Sequence, residues 1–301
     1  MPRTAFLFPG QGSQTVGMAG ALCGTSPVAK ALFDEASVIL GYDLLSVCTH
    51  GPQDALNATN ISQPAIYVAS LAALEQLKVS EPNLVADVVA TAGLSLGEYT
   101  ALAFAGAMSF ADGLRVVHAR GTAMQAAAEA TPGGMASIIG LDLGEVEALV
   151  AESRTAGLIE VANLLCPGNI VVSGSAAAID ELCRLAESRN LRAIRLAVAG
   201  AFHTTLMQPA DTHLGEALKR VTLHSPKVPV WSNVDAQPHT SATQIADLLV
   251  RQVISPVRWE DTIRGLMASG VEKFYEIGPG RVLAGLLKRV DRKASLVNVS
   301  A

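Results

Sequence analysis

Three side chains in this sequence have the types and settings of groups that do chemistry: Ser95, His203 and Arg120. Ser95 lies in Gly93-Leu94-Ser95-Leu96-Gly97, between an apolar run, VADVVATAGL, and an alanine-rich run, GEYTALAFAGA. A Gly-x-Ser-x-Gly between a buried strand and a helix is the nucleophile-elbow pattern. The turn is so tight that both glycines must lack side chains for strand and helix to approach. It leaves the serine at a helix N-terminus, where unpaired N–H groups and the helix dipole stabilise a developing oxyanion. The alternative is a chance serine in a chain with 26 glycines, and the strand-before, helix-after setting favours the elbow.

A serine hydroxyl needs a base to act as a nucleophile, and the chain offers His50, His118, His203, His213, His224 and His239. His118 and His213 fall in expected helices, and His50, His224 and His239 in expected loops, where histidine is ordinarily a surface or satisfied residue. His203 differs. In RLAVAGAFHTTLMQPA it follows an expected strand and precedes a helix, where a doubly wound sheet gathers its functional loops. Its position makes it the candidate base. No carboxylate sits in a recognisable triad motif; Asp211 and Asp235 are open candidates, and a backbone carbonyl also orients an imidazole. Cys23, Cys48, Cys166 and Cys183 are scattered without a CxxC pair, so neither a disulfide scaffold nor a zinc site is expected, and a reducing compartment fits.

The third group is a cation. In SFADGLRVVHARGTAMQAAAEA, with Ser109 as the N-cap, Phe110, Leu114, Val117, Gly121 and Met124 form one stripe. At about 100° per residue, Arg120 lies about 80° from the stripe's centre and Arg115 about 140°. Arg115 therefore faces solvent, while Arg120 stands at the buried margin. A guanidinium there is costly unless it meets a carboxylate. That partner is either a structural Asp or Glu, or a substrate carboxylate held as a bidentate fork.

The elements that must position these groups follow from periodicity and punctuation. TAFLF, ended by Pro9, Gly10 and Gly12, reads as a buried strand entering a backbone-rich loop. ISQPAIYVASLAALEQL has helical spacing, with Pro64 expected in its first turn. VADVVATAGL is a second buried strand, followed by helices over GEYTALAFAGA and the Arg120 segment. After TPGG at 131–134 come MASIIGL, DLGEVEALVAES, IEVANLL, NIVVSGS, AAAIDELCRLAESRN and RAIRLAVAG, a β-α-β-β-α-β order that is the split βαβ of a ferredoxin-like unit. From Ala201 the alternation resumes through LMQPADTHLGEALKRV, VPVWSN, TQIADLLVRQV, EKFYEIGPG and RVLAGLLKRV. The fold expected is α/β, with a mostly parallel sheet in an α/β-hydrolase-like large domain, 1–131 and 200–301, interrupted by a ferredoxin-like small subdomain at 132–199.

The bulk composition narrows the function class. A chain of 301 residues, 50% hydrophobic and 16% charged, buries a large core and is not disordered. Its apolar runs are all interrupted short of a membrane span, and a formal net charge of −5 gives no basic face for nucleic acid. From the strand-like start MPRTAFLFPG, no signal or transit peptide is expected within the sequence itself.

FLFPGQGSQTVGM, GLSLGEYTAL, ARGTAMQ, GAFHTTLM, RQVISPVRW and YEIGPGRVLAGLLKR together resemble the malonyl-CoA:acyl carrier protein transacylases of fatty acid synthesis, in order and spacing over nearly the whole chain. The resemblance implies Ser95 as the acyl-carrying nucleophile and His203 as its base. It implies the backbone N–H groups of Gln11 and Leu96 as the oxyanion hole and Arg120 as the malonyl carboxylate site. Gln252 would steady His203 through its main chain, and Asn163 would line the pocket. Phe202 before the histidine, as in related polyketide acyltransferases, goes with malonyl rather than methylmalonyl. It also implies ping-pong transfer with no metal or redox cofactor, malonyl-CoA and acyl carrier protein as partners, and a monomer. Carrier proteins are acidic, so Arg189, Arg192 and Arg195, or Lys288, Arg289, Arg292 and Lys293, are candidate docking groups, although basic residues also favour helix C-termini on their own account.

Leu94, Ala201 and Leu165-Cys166 depart from the family's usual His, Pro and Asn-Ser, which touches local pocket detail only. GLSLGEYTALAFAGA with CPGN and AGAFH looks like the plastid-type branch. The expected location is therefore the chloroplast stroma, as a mature form without its transit peptide, or a bacterial cytoplasm. Rival readings are a serine hydrolase or thioesterase, which has no use for Arg120; a transferase serving a polyketide or malonate-decarboxylase system; and a non-catalytic relative, which would lack Ser95, His203 or Arg120.

Overall fold

The computed structural model describes residues 2–301. Strand β1 (Thr4–Phe8) is buried along its whole length. Phe6 and Phe8 point into one apolar cluster and Ala5 and Leu7 into another, the period-2 alternation of a strand covered on both faces. After the loop that follows β1 come four short-to-medium helices, α1 (Gly20–Thr25), α2 (Pro27–Leu40), α3 (Leu44–His50) and α4 (Gln53–Asn57). Helix α5 (Thr59–Ser80) is buried over most of its surface. It begins before the apolar run, so Pro64 sits in its second turn rather than its first, where it forgoes one intrahelical hydrogen bond. A short α6 (Pro82–Ala86) leads into β2 (Val88–Gly93), followed by α7 (Leu96–Phe104) and α8 (Phe110–Ala130). Ser109 caps α8 as expected, its side chain accepting from the Asp112 N–H at 3.0 Å.

The second sheet is built from β3 (Gly133–Ile139), α9 (Leu143–Ser153), β4 (Ile159–Cys166), β5 (Asn169–Ser175), α10 (Ala176–Ser188) and β6 (Arg192–Arg195). Its order is β4-β5-β3-β6, every neighbouring pair antiparallel, as the split βαβ order requires. Ile138, Val146, Leu149, Ile159, Ile179 and Leu182 share its separate core. β6 is shorter than the RAIRLAVAG run: the Leu196 N–H still donates to the Met135 carbonyl of β3 at 2.9 Å, beyond which the chain leaves the sheet, and Leu196, Ala197 and Val198 line a cavity.

The chain then supplies α11 (Ala210–Leu218), β7 (Val230–Trp231), β8 (Pro238–His239), α12 (Ala242–Gln252), α13 (Trp259–Ala268), β9 (Lys273–Ile277), α14 (Val282–Val290) and β10 (Ser295–Val299). The large sheet runs β10-β9-β1-β2-β7-β8, parallel throughout except for the edge strand β8. Phe6 of β1 stands opposite Thr91 of β2 and Tyr275 of β9. The expected α/β architecture is therefore present, a mostly parallel sheet accompanied by a ferredoxin-like one. Two histidines expected in loops lie in short elements instead, His50 ending α3 and His239 in β8. The second sheet is tied to the segment between α12 and α13, where the Val257 N–H donates to the Ala162 carbonyl at 2.8 Å and the Leu164 N–H to the Val257 carbonyl at 2.9 Å.

Candidate active site

Ser95 occupies the single residue between Leu94 and the first residue of α7, with φ 50° and ψ −101°, a left-handed strain that a nucleophile elbow imposes. The flanking glycines are obligatory. A Cβ on Gly93 would lie 1.9 Å from the Gly97 carbonyl carbon, and one on Gly97 would lie 2.1 Å from the Phe8 carbonyl oxygen. The turn is held by side chains from distant elements: the Ser95 N–H donates to Asn233 Oδ1 at 2.6 Å, and Gln252 Nε2 donates to the Ser95 carbonyl at 3.1 Å. Asn233 follows β7 as Ser95 follows β2 and Gln11 follows β1, so three parallel strands deliver site residues at their carboxyl ends.

Ser95 Oγ lies 2.9 Å from His203 Nε2, and His203 Nδ1 lies 2.9 Å from the Gln252 carbonyl oxygen. A carbonyl only accepts, so Nδ1 carries the proton and Nε2 is left to accept from the serine hydroxyl. Gln252 is the last residue of α12, so its carbonyl has no intrahelical partner and lies at the negative end of the helix dipole. Burial, followed by the nearby Arg120 charge, lowers the His203 pKa to about 4, leaving the ring neutral around pH 7. Neither candidate carboxylate reaches His203. Asp235 pairs with His239 at 2.9 Å, and Asp211 sits in the first turn of α11, where Thr212 donates to it. A helix-terminal carbonyl takes the place a triad acid would fill.

Arg120 is only 1% exposed, not marginal, because α8 is covered by α5 on one side and α11 on another. Its Nη1 donates to Gln63 Oε1 at 2.7 Å, and its Nη2 to Ser95 Oγ and Gln252 Oε1 at 3.0 Å each. The guanidinium stacks over Tyr99 at 5.1 Å, and Nε has no partner. Among the described residues no carboxylate lies within ion-pair distance of Arg120; the buried Glu98 acts on it at longer range and is joined to it through the Gln252 side chain, which accepts from Arg120 at 3.0 Å and donates to Glu98 at 2.6 Å.

These groups converge on a cavity of about 320 Å³ lined by Gln11, Leu96, Arg120, Asn163, Phe202 and His203, with Ser95 on its floor. Met124, Met135, Leu196 and Val198 supply apolar wall. The Leu96 and Gln11 backbone N–H groups have no protein acceptor among the described residues, and the Gln11 side chain is drawn aside to Thr59 at 3.4 Å. Gln252 stands behind the cavity. Of the departures, Leu94 and Leu165 line it, while Ala201 and Cys166 do not. A larger hollow of about 1040 Å³ between α1, α2 and α3 holds none of the predicted residues. Among the described residues no His, Cys, Asp and Glu cluster could hold a metal, and no helix is long and apolar enough to cross a membrane.

The sequence matches the acyl transferase domain family over residues 5–300. The chain belongs to that family. It is 44% identical over 302 residues to the malonyl CoA-acyl carrier protein transacylase of Bacillus subtilis (strain 168), covering 100% of this chain and 94% of the relative. It is 42% identical over 304 residues to the mitochondrial malonyl-CoA-acyl carrier protein transacylase of Homo sapiens, covering 97% and 78%. The acyl-carrier-protein-S-malonyltransferase of Bartonella henselae superposes with a TM-score of 0.95 at 38% identity, over 99% of this chain and 96% of that one. A malonyl-transacylase solved in complex with a type II PKS acyl-carrier protein gives 0.93 at 38% identity, over 99% and 96%.

Three residues of this acyl transferase site escape the sequence reading: Gln63, Glu98 and Asn233. Glu98 is 3% exposed, and its Oε2 accepts from the Asn233 N–H at 3.0 Å and from Gln252 Nε2 at 2.6 Å. Asn233 carries the one readable signal, its place just beyond a short apolar run ending a parallel strand.

Proposed function

We propose that this acyl transferase moves the malonyl group of malonyl-CoA onto the phosphopantetheine thiol of acyl carrier protein, supplying fatty acid synthesis, with Ser95 as the carrier of the group. The observation that carries this reading is the placing of Ser95 Oγ between His203 Nε2 at 2.9 Å and the Nη2 of a buried Arg120 at 3.0 Å. One neighbour takes a proton. The other is a buried cation with no carboxylate in ion-pair contact, and it stands within a malonyl chain's reach of the serine.

His203 takes the Ser95 proton as Oγ attacks the thioester carbonyl, and the Leu96 and Gln11 amides receive the oxyanion. The developing imidazolium faces the Gln252 carbonyl at the α12 C-terminus. The oxyanion collapses, the C–S bond breaks, and the CoA thiolate takes the proton from His203. Malonyl-Ser95 keeps its carboxylate on Arg120, beside Gln252 and Asn163, with Phe202 crowding any α-methyl group. In the second half His203 removes the proton of the carrier's thiol, the thiolate attacks, and Ser95 leaves reprotonated. No step draws on a cofactor.

Lys288, Arg289, Arg292 and Lys293 are exposed and unpaired with acids among the described residues, whereas Arg189 and Arg195 are engaged by Glu152 and Asp180. Arg289 follows the cavity-lining Val282 and Leu286 by seven and three residues, hence on the same face of α14. That end of α14 is the docking surface of this reading. A monomer, a division into 1–131 with 200–301 and 132–199, and residence in a chloroplast stroma or bacterial cytoplasm complete it.

Intact mass after brief mixing with malonyl-CoA tests the reading. A malonyl adduct is expected on the wild type, absent from Ser95→Ala and much reduced in Arg120→Ala. An unmodified wild type with no release of malonate overturns it, and free malonate accumulating in the presence of carrier protein makes the chain a hydrolase.

A further inference from the structure

The strain at Ser95 requires a counterforce, because a non-glycine residue at φ 50° persists only where its surroundings hold it. Both polar groups of its backbone are held, the N–H by Asn233 Oδ1 and the carbonyl by Gln252 Nε2. Those two holders come from separate elements, the end of β7 and the end of α12. Neither is fixed by its own helix or strand alone.

What joins them is one buried oxygen. Glu98 Oε2 accepts from the Asn233 N–H at 3.0 Å and from Gln252 Nε2 at 2.6 Å. Asn233 is further locked by donating Nδ2 to the Gly93 carbonyl at 2.8 Å. With its Nε2 committed to Glu98 and Ser95, Gln252 must present Oε1 to Arg120, and its backbone carbonyl faces His203. Glu98 touches neither Ser95 Oγ, His203 nor Arg120, and its carboxylate is too deep to meet substrate.

We propose that Glu98 is the positioning residue of this site: its carboxylate fixes Asn233 and Gln252 together, and through them the Ser95 backbone, the His203 ring and the aim of Arg120. This rests on the reading of Ser95 as nucleophile. Burial raises the Glu98 pKa to about 7 against the pull of its hydrogen bonds and of Arg120, so the anchor gains a proton in mildly acid solution. The charged or titratable groups around it are Arg120 from α8, Tyr99 beside it on α7 and His203 from the loop before α11. Burial lowers the Arg120 pKa, but a guanidinium starts so high that it keeps its charge here; burial raises Tyr99 well above its ordinary value, and His203 titrates near 4. A titration near neutrality therefore belongs to Glu98.

The test is the rate of malonyl-Ser95 formation, followed by rapid-quench intact mass in the wild type, Glu98→Gln and Glu98→Ala, with thermal unfolding of each. A hydrogen bond to a charged acceptor corresponds to roughly ten- to a hundredfold in rate when it orients a reacting group. Glu98→Ala, folded, should acylate at least about thirtyfold more slowly than the wild type at about pH 8, where the anchor is ionised. Glu98→Gln keeps the shape without the charge and should give a lower rate, flat between about pH 5.5 and 8, with the wild type falling to it below about pH 7. Wild-type speed in a folded Glu98→Ala overturns the proposal, as does an acid limb near neutrality that Glu98→Gln retains. Should Glu98→Ala fail to fold, the Glu98→Gln profile decides alone. A wild type that forms no adduct instead refutes Ser95 as nucleophile, a separate failure.

Discussion

Replacing Glu98 by glutamine should change how the stability of this protein depends on pH, in a direction the buried site dictates. In the folded protein Glu98 holds its proton up to about pH 7, against an ordinary value of 4.5. Between those values the unfolded chain has released a proton that the native state keeps, so native stability falls as pH rises. At about 1.4 kcal/mol for each tenfold in proton affinity, the loss across that window is about 3 kcal/mol. His203 acts oppositely. Its pKa drops from 6.5 to about 4, so the unfolded state binds the extra proton and stability rises with pH from about 4 to 6.5, by a similar amount. In the wild type the two contributions nearly cancel; in Glu98→Gln the histidine contribution stands uncovered. The stability of Glu98→Gln minus that of the wild type should climb by about 3 kcal/mol from about pH 4.5 to 7 and be level beyond both ends. The difference removes every other titrating group, including the exposed carboxylates paired with arginine. Urea unfolding read by tryptophan fluorescence at several pH values measures it, since Trp231 and Trp259 are both buried in the cluster on one face of the large sheet. A difference independent of pH would mean that Glu98 titrates at its ordinary value. A difference that fell with rising pH would mean that the site stabilises the carboxylate anion.

Gly93→Ala should fail to accumulate as folded protein, because its Cβ would sit 1.9 Å from backbone at Gly97 and no flexible side chain can give way; a cost of several kcal/mol is expected, and near-wild-type urea unfolding would contradict the elbow geometry. Reversing charge at Lys288 and Arg289 should leave malonyl-Ser95 formation from malonyl-CoA unchanged and slow transfer to carrier protein by about tenfold at low salt, less at high salt. A transfer rate insensitive to both reversals moves the docking surface elsewhere.

The parts of the site legible in the sequence are those whose geometry is local. The elbow needs only five residues, and its glycines speak for themselves because the turn forbids any Cβ. The start and stop of α8 were readable from Ser109 and the apolar stripe, yet the burial of Arg120 was not, because a single stripe reports one covered face while α5 and α11 cover two. Pro64 misled for a related reason: the polar residues of α5 before the apolar run are buried by tertiary contact, so the helix starts earlier than hydrophobicity suggests. The helices α1 to α4, α6 and α13 and the strands β8 and β10 were not read from the sequence; most are of six residues or fewer, too short to show a period.

Beyond that, the least legible residues are the ones that give the legible ones their precision. Ser95 and His203 are 108 positions apart, a span no local pattern bridges, and in the sequence only the resemblance of the surrounding motifs pairs them. Glu98 reaches Asn233 over 135 positions and Gln252 over 154, and no periodicity encodes contacts of that span. In GLSLGEYTAL the glutamate reads as an acidic residue in the first turn of a helix, where the dipole alone would favour it. The structure places it on the inward side of α7, under the strained serine. The proposed nucleophile is thus announced by its own turn, whereas the carboxylate proposed to orient it stands one helical turn further on and meets its partners only when the chain has folded.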